Sequence, residues 1–318
     1  MKTSQIIRNI LIASILFLSL PCLAQVNQVE SIGITVSNME KSISFFRDIL
    51  SFQVVSDDSI NHPKIRLVRM KLGDEFIELT QFLKEKGRPI PKQMKSNDLY
   101  FQHIAIVVSD MDKAYAILKG KMVDQISNVP QTIPKSNKAA AGVKAFYFHD
   151  LDHHDLELIY FPKGKGQAKW QDSSGNIFLG IDHTAIGISS TKKSLHFYQD
   201  ILGINRKGDS WNKGMEQMNL SNVKGASLHI TGLRANLGPG IEFLQYLVPG
   251  PGKPYPKDTK KTDIWYWQIV LKSDHLNDLY HRLKTEHYHF LDSQRSGDHK
   301  LEAFVVQDPD GHALYLKN

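Results

Sequence analysis

Two phrases place a histidine at the same point of the same kind of strand: "FQHIAIVVSD" over residues 101–110 and "GIDHTAIGIS" over 180–189. His103 and His183 each lead an alternating apolar run. An imidazole in such a place is either a core side chain bonded to a backbone carbonyl or a metal ligand. Three glutamates, Glu78 in "IEL", Glu157 in "LEL" and Glu242 in "IEF", have apolar residues on both sides. A strand alternates its faces, so each glutamate points opposite to those neighbours. If the apolar face packs on helices, the carboxylates look into the concave side of a sheet. Burying a carboxylate there is costly unless it is paired or bound to a cation. Histidine and glutamate together suit zinc and other divalent ions.

The elements that must position these residues are legible because the chain repeats itself. "IELTQFLKEKGRPIPKQMKSNDLYFQHIAIVV" (77–108) resembles "IEFLQYLVPGPGKPYPKDTKKTDIWYWQIVLK" (241–272), and "SIGITVSNMEKSISFFRDILSF" (31–52) aligns with "HTAIGISSTKKSLHFYQDILGI" (183–204). "AFYFHDLDHHDLELIYF" (145–161) aligns with "AFVVQDPDGHALYLKN" (303–318). Each half divides again into two strand–helix–strand–strand–strand modules, over roughly 29–83, 99–162, 179–248 and 264–317. Residues 162–176, rich in Gly, Lys and Ser, read as the linker between halves. Ser37 or Asn38 is expected to cap the first helix, whose apolar face is Met39, Ile43, Phe46 and Leu50.

Two positions correspond in all four modules. The first, near the start of the leading strand, holds Ser31, His103, His183 and Gln268; the second, in the last strand, holds Glu78, Glu157, Glu242 and Tyr315. Crossed pairing, two with three, collects His103, Glu157, His183 and Glu242 into one set and leaves Ser31, Glu78, Gln268 and Tyr315 as a degenerate one. Sequential pairing divides the ligand types between both sites. Crossed pairing is the simpler expectation. Four further histidines, His149, His153, His154 and His312, fall in turns where solvation is expected. Asp150 and Asp152, like Asp308 and Asp310, are expected to shape those turns. The loops "KGRPIP" (86–91) and "PGPGKP" (249–254) are placed beside the cup mouths, and "WYW" (265–267) reads as core with one ring facing a cup.

The phrases "IDHTAIGIS", "SLHFYQDILGI", "HDLDHHDLEL" and "QDPDGHALYL" make the chain resemble the vicinal oxygen chelate superfamily, over essentially its whole length after residue 24. That superfamily includes glyoxalase I, methylmalonyl-CoA epimerase, extradiol dioxygenases, fosfomycin-resistance enzymes and bleomycin-binding proteins. The resemblance implies an α+β fold of four βαβββ modules forming two cup-shaped half-barrels, with domains at 25–163 (modules one and two) and 164–318 (modules three and four). It implies one divalent ion (Zn, Ni, Mn, Fe or Co) held by His103, Glu157, His183 and Glu242, with Glu157 or Glu242 as the catalytic base. It further implies a lyase or isomerase like glyoxalase I or an epimerase, working through a metal-bound enediolate on a small vicinal-oxygen substrate. Two alternatives stay open. In an extradiol-type dioxygenase, the two His and one Glu of the second half would fall on His183, Gln268 and Tyr315, and two of the three do not match. The other alternative is a metal-free small-molecule-binding protein.

The 318 residues are 41% hydrophobic and 23% charged, as in globular proteins. Lys2 and Arg8 precede the apolar run "ILIASILFLSL" and the small-residue end "PCLAQ". Residues 1–24 therefore read as a cleaved export signal, with Gln25 as the new N-terminus and a periplasmic or secreted location. Pro21 and Leu20 argue against a lipid anchor on Cys22. Cleavage would remove Lys2, Arg8 and no acid, taking the net charge from +6 to +4, and would remove the single cysteine. The remaining basic residues are spread through loops without a nucleic-acid motif. The expected partner is a small-molecule substrate, with no nucleic acid, no membrane after cleavage, and a monomeric or dimeric state.

Overall fold

The computed structural model describes residues 25–58 and 63–318, so the export signal expected over residues 1–24 lies outside the described residues. Module one comprises β1 (Gln28–Thr35), α1 (Met39–Asp48), β2 (Gln53–Asp57), β3 (Ile65–Leu72) and β4 (Glu75–Phe82). Module two comprises β5 (Gln102–Val108), α2 (Met111–Gly120), β6 (Gln131–Thr132), β7 (Lys144–His149) and β8 (Asp155–Tyr160). Module three runs through β9 (Phe178–Gly187), α3 (Thr191–Leu195), β10 (Asn205–Lys213), α4 (Met215–Ser221), β11 (Ser227–Arg234) and β12 (Gly240–Val248). Module four has β13 (Trp267–Lys272), α5 (Leu276–Thr285), β14 (Phe290–Arg295), β15 (Leu301–Gln307) and β16 (Ala313–Lys317).

Local chemistry starts the first two helices in the same way. Asn38 caps α1 by accepting from the Lys41 N–H, and Asp110 caps α2 by accepting from Asp112 and Lys113. Met39, Ile43, Phe46 and Leu50 are all buried, as their spacing predicts. Removing the fully buried Phe46 ring is expected to cost roughly 3–5 kcal/mol.

The strands form two eight-stranded sheets, and the pairing is crossed. One sheet runs β14-β15-β16-β13-β1-β4-β3-β2 and joins modules four and one; the other runs β10-β11-β12-β9-β5-β8-β7-β6 and joins modules three and two. The helices divide differently. Residues of α1 and α2 share a core with Ile32, Ile34, Ile104 and Leu156, whereas α5 and the turn after α3 share a second core with Val29, Ile186 and Leu316. Modules one and two therefore share a helical core, as do three and four, while the sheets close the remaining contacts. The four modules form a ring.

Two loops lock the ring. Asp98 accepts the Lys253 N–H at 2.7 Å, and Asp263 accepts the Arg88 N–H at 3.1 Å while pairing with the Arg88 guanidinium. The repeated aspartates thus each hold the loop from the opposite half. A Cβ on Gly87 would stand 1.6 Å from the Thr262 carbonyl oxygen, so this approach needs glycine. The loops at 86–91 and 249–254 accordingly serve as clamps between halves, and their residues are not among those lining the two cup cavities. Their Pro-Gly composition marked them as loops without showing what they grip. Among the described residues, no helix is long and apolar enough to cross a membrane.

Candidate metal centre

Register brings the aligned positions together. At the centre of one sheet β5 and β9 run antiparallel, with His103 opposite Ala185 and Ala105 opposite His183, so the histidines are related by a pseudo-twofold axis. Glu157 lies beside Ala105 on parallel β8, and Glu242 lies beside Ala185 on parallel β12. The other sheet repeats this arrangement: Ser31 faces Val270, Gln268 faces Gly33, Glu78 lies beside Gly33 and Tyr315 beside Val270.

Ligand atoms from His103, Glu157 and His183, all buried, lie within 4.8 Å of one another. Glu157 Oε2 is 3.0 Å from His103 Nε2 and 3.5 Å from His183 Nε2. Glu242 Oε2 lies 3.4 Å from His183 Nε2 without joining that group of three, and its side chain is 28% exposed. These contacts are close without the alignment of hydrogen bonds: Nε2 of each imidazole is buried and has no hydrogen-bond partner. A buried nitrogen left unsatisfied is costly. A divalent ion held by the two imidazoles and Glu157, with Glu242 beside His183, would satisfy both nitrogens, so the residues present fit a metal.

Electrostatics separates the two glutamates. Burial pushes the Glu157 carboxyl up, but His103 and His183 outweigh it and hold it below the usual range. Burial holds Glu242 above its ordinary value, and His183 offsets only part of that. Burial also opposes charge on His183, yet Glu242, Asp182 and Glu157 raise its pKa well above normal. Metal binding at its Nε2 would compete with that protonation.

A feature the sequence reading missed supports His183. The register between β5 and β9 slips beside Asp182, a bulge that leaves this residue without a counterpart on β5. Asp182 Oδ2 lies 3.0 Å from His183 Nδ1, while Oδ1 accepts from Arg234 Nη2 at 2.6 Å and Trp170 Nε1 at 2.9 Å. Trp170 is the buried residue of an otherwise exposed turn in the segment read as linker, a turn also held by the Lys169–Glu75 pair. A signal was available. The copy has the same slip at Glu30, so an acid precedes the ligand position in both "VES" and "IDH".

The centre opens on a cavity of about 170 Å³ lined by Ile133, Val143, Tyr147, Ile159, Lys165 and Gln217 among others. The second cup is different in kind. Ser31 donates to Glu78 Oε1 at 2.8 Å, and a cavity of about 280 Å³ is lined by Tyr266, Gln268, Tyr315 and apolar neighbours. Tyr266 is thus the cup-facing ring of "WYW". His183 lies in one sheet and Gln268 and Tyr315 in the other, so the residues of the dioxygenase alternative are not brought together.

The turn histidines need correction. His154 and His312 are buried, because each ring packs on the turn's own aspartate: His154 Nδ1 lies 2.8 Å from Asp150 Oδ2 and His312 Nδ1 lies 3.0 Å from Asp308 Oδ2. His154 Nε2 also lies 2.8 Å from the Ile264 carbonyl. Asp150 and Asp308 shape the turns as expected, through backbone N–H groups two and four residues on, whereas Asp152 and Asp310 accept from the Ser37 and Ser189 N–H groups instead.

The family model described as Glyoxalase/Bleomycin resistance protein/Dioxygenase superfamily matches residues 26–158 and again 180–316. The chain belongs to that superfamily. It is 30% identical over 132 residues to the metallothiol transferase FosB of Staphylococcus epidermidis, a match covering 41% of this chain and 81% of the relative; FosB of Staphylococcus haemolyticus matches equally. Glyoxalase I from Zea mays superposes with a TM-score of 0.65 at 14% identity, covering 92% of each chain. A putative dioxygenase from Bacillus subtilis gives 0.57 at 11% identity, covering 92% of this chain and 85% of that one. These two likenesses concern the fold.

Proposed function

We propose that the chain is an exported, metal-dependent lyase or isomerase resembling glyoxalase I or an epimerase, acting on a small substrate with two adjacent oxygens. The observation that carries this reading is the pair of buried, unpartnered Nε2 atoms at His103 and His183 facing Glu157 and Glu242. His103, Glu157, His183 and Glu242 would hold one divalent ion, which supplies Lewis acidity toward substrate oxygens when bound.

The two carboxylates then take different tasks. Glu157, wedged between both imidazoles and favouring ionisation, is suited to stay a ligand. Glu242 is more exposed and less firmly ionised, which suits it to take a proton from the carbon beside a substrate carbonyl and return it. Ile133, Val143 and Ile159 keep water from that proton, and Lys165 gives the cavity a cation suited to an acidic substrate. Glu242→Gln should weaken metal binding less than Glu157→Gln and, once reloaded with metal, lose solvent-deuterium exchange into α-hydroxycarbonyl or dicarbonyl compounds by about 10²–10⁴-fold. Glu157→Gln should lose the metal. A purified protein that takes up no divalent ion in its cups under any loading condition would return the chain to the binding-protein reading.

The similarity to a metallothiol transferase favours a second reading, in which the same centre serves thiol transfer. Activity that needs a thiol co-substrate and shows no proton exchange would select it.

A further inference from the structure

The turn between β7 and β8 carries ligand-type side chains outside both cups. Asp124, in the segment after α2, His149, at the end of β7, and His153, in the turn, each place a ligand atom within 4.8 Å of the others. His153 Nδ1 is 3.5 Å from Asp124 Oδ2, and the two imidazole rings are 5.4 Å apart. Backbone keeps the set in step, because the His149 N–H donates to the Asp124 carbonyl at 2.9 Å. His149 Nδ1, buried and without a hydrogen-bond partner, lies 3.3 Å from Asp155 Oδ1.

The duplicated turn supplies an independent comparison. In "HDLDHHDLEL" and "QDPDGHALYL" the same aspartate hydrogen bonds build both turns. Gly311 occupies the left-handed position in one, at φ 103°, and His153 occupies it in the other, at φ 66°. Glycine takes this conformation freely, whereas a Cβ opposes it. The less suitable residue thus stands where its side chain meets an aspartate and a second histidine. At the three corresponding places the copy has His289, Gln307 and Gly311, with the Gln307 N–H donating to the His289 carbonyl as His149 donates to Asp124. Only one turn carries the ligand set.

That turn is also held from behind. Asp152 accepts from the Ser37 N–H at 2.7 Å, and His154 is fixed by Asp150 and the Ile264 carbonyl. Ligands held before binding lose little freedom on binding.

We propose that Asp124, His149 and His153 form a second, surface metal site for a borderline divalent ion of the zinc, nickel or copper class. Two imidazole donors favour these over calcium or magnesium. The exposed sides of Asp124 and His153 leave remaining positions to water.

The test is zinc titration of the chelator-stripped mature protein, with equivalents counted by competition against a chromophoric indicator. His153→Gly keeps the backbone the turn prefers, so the metal-free variant should unfold at the same temperature or higher. His153→Gly and Asp124→Asn should each weaken one zinc equivalent by more than the roughly 10–100-fold typical of outer-sphere partners. His103→Ala should leave that equivalent in place and remove a different one. Unchanged stoichiometry and affinity in both turn variants would overturn the surface site, and so would their removing the same ion as His103→Ala. The cup centre stands or falls separately, on the ion that His103→Ala removes.

Discussion

Asp182 Oδ2 sits 3.0 Å from His183 Nδ1, whereas neither ring nitrogen of the symmetry-related His103 has a hydrogen-bond partner among the described residues. The two histidines are equivalent in register and unequal in support. Asp182→Asn should therefore weaken metal binding about 10–100-fold. Gln102→Leu, at the corresponding place before His103, should change it far less. Chelator competition measures both, and equal affinities in the two variants would reduce Asp182 to a structural anchor.

His103→Ala and His183→Ala should each remove most affinity for one and the same ion. Their combined effect should be far from additive, because they share one partner. Glu78→Ala, in the other sheet, should leave that ion in place. Metal content after dialysis checks all three; an ion lost with Glu78 would place a functional site in the second cup.

The buried pair His312 and Asp308 predicts a pH dependence of stability. Burial opposes charge on His312, but Asp308 outweighs it and raises the ring's pKa. Burial likewise opposes ionisation of Asp308, and His312 with the turn's N–H groups outweighs it and lowers that pKa. The histidine contribution is then complete below the unfolded value of about 6.5 and lost as pH rises through the raised folded value. The aspartate contribution is present above about 3.9 and lost as pH falls through its lowered value. His312→Gln should cost roughly 3–5 kcal/mol at pH 6 by leaving a buried carboxylate unpaired. Denaturant unfolding from pH 6 upward should show a decline in the parent protein that is flatter in the variant.

Expression in a Gram-negative host followed by N-terminal sequencing tests export. The processed chain should begin at Gln25 or within about two residues of it, after the small-residue end of the apolar run. A predominant cytoplasmic form beginning at Met1 would refute it.

The sequence repeat carried most of the site. His103, Glu157, His183 and Glu242 were legible because register is preserved through duplication, and period-two alternation told which way each side chain points. Crossed pairing was legible as the arrangement that leaves one complete ligand set. Asp182 escaped because a strict alternation turns it away from His183, and only a bulge undoes that. Trp170 escaped because its Gly- and Lys-rich surroundings read as solvent-exposed chain. His154 and His312 read as turn residues, and nothing in local composition shows that an aspartate four positions earlier buries them.

The ring of modules has a consequence for the order of synthesis. β12 ends at Val248, so the sheet carrying His103 and His183 is complete before module four leaves the ribosome. β1 must wait for β13, and until then one edge of module one is an unpaired template open to other chains. The sheet carrying both histidines is therefore the early product of translation, and closure of the ring is the slow, vulnerable step, because it joins strands near opposite ends of the chain.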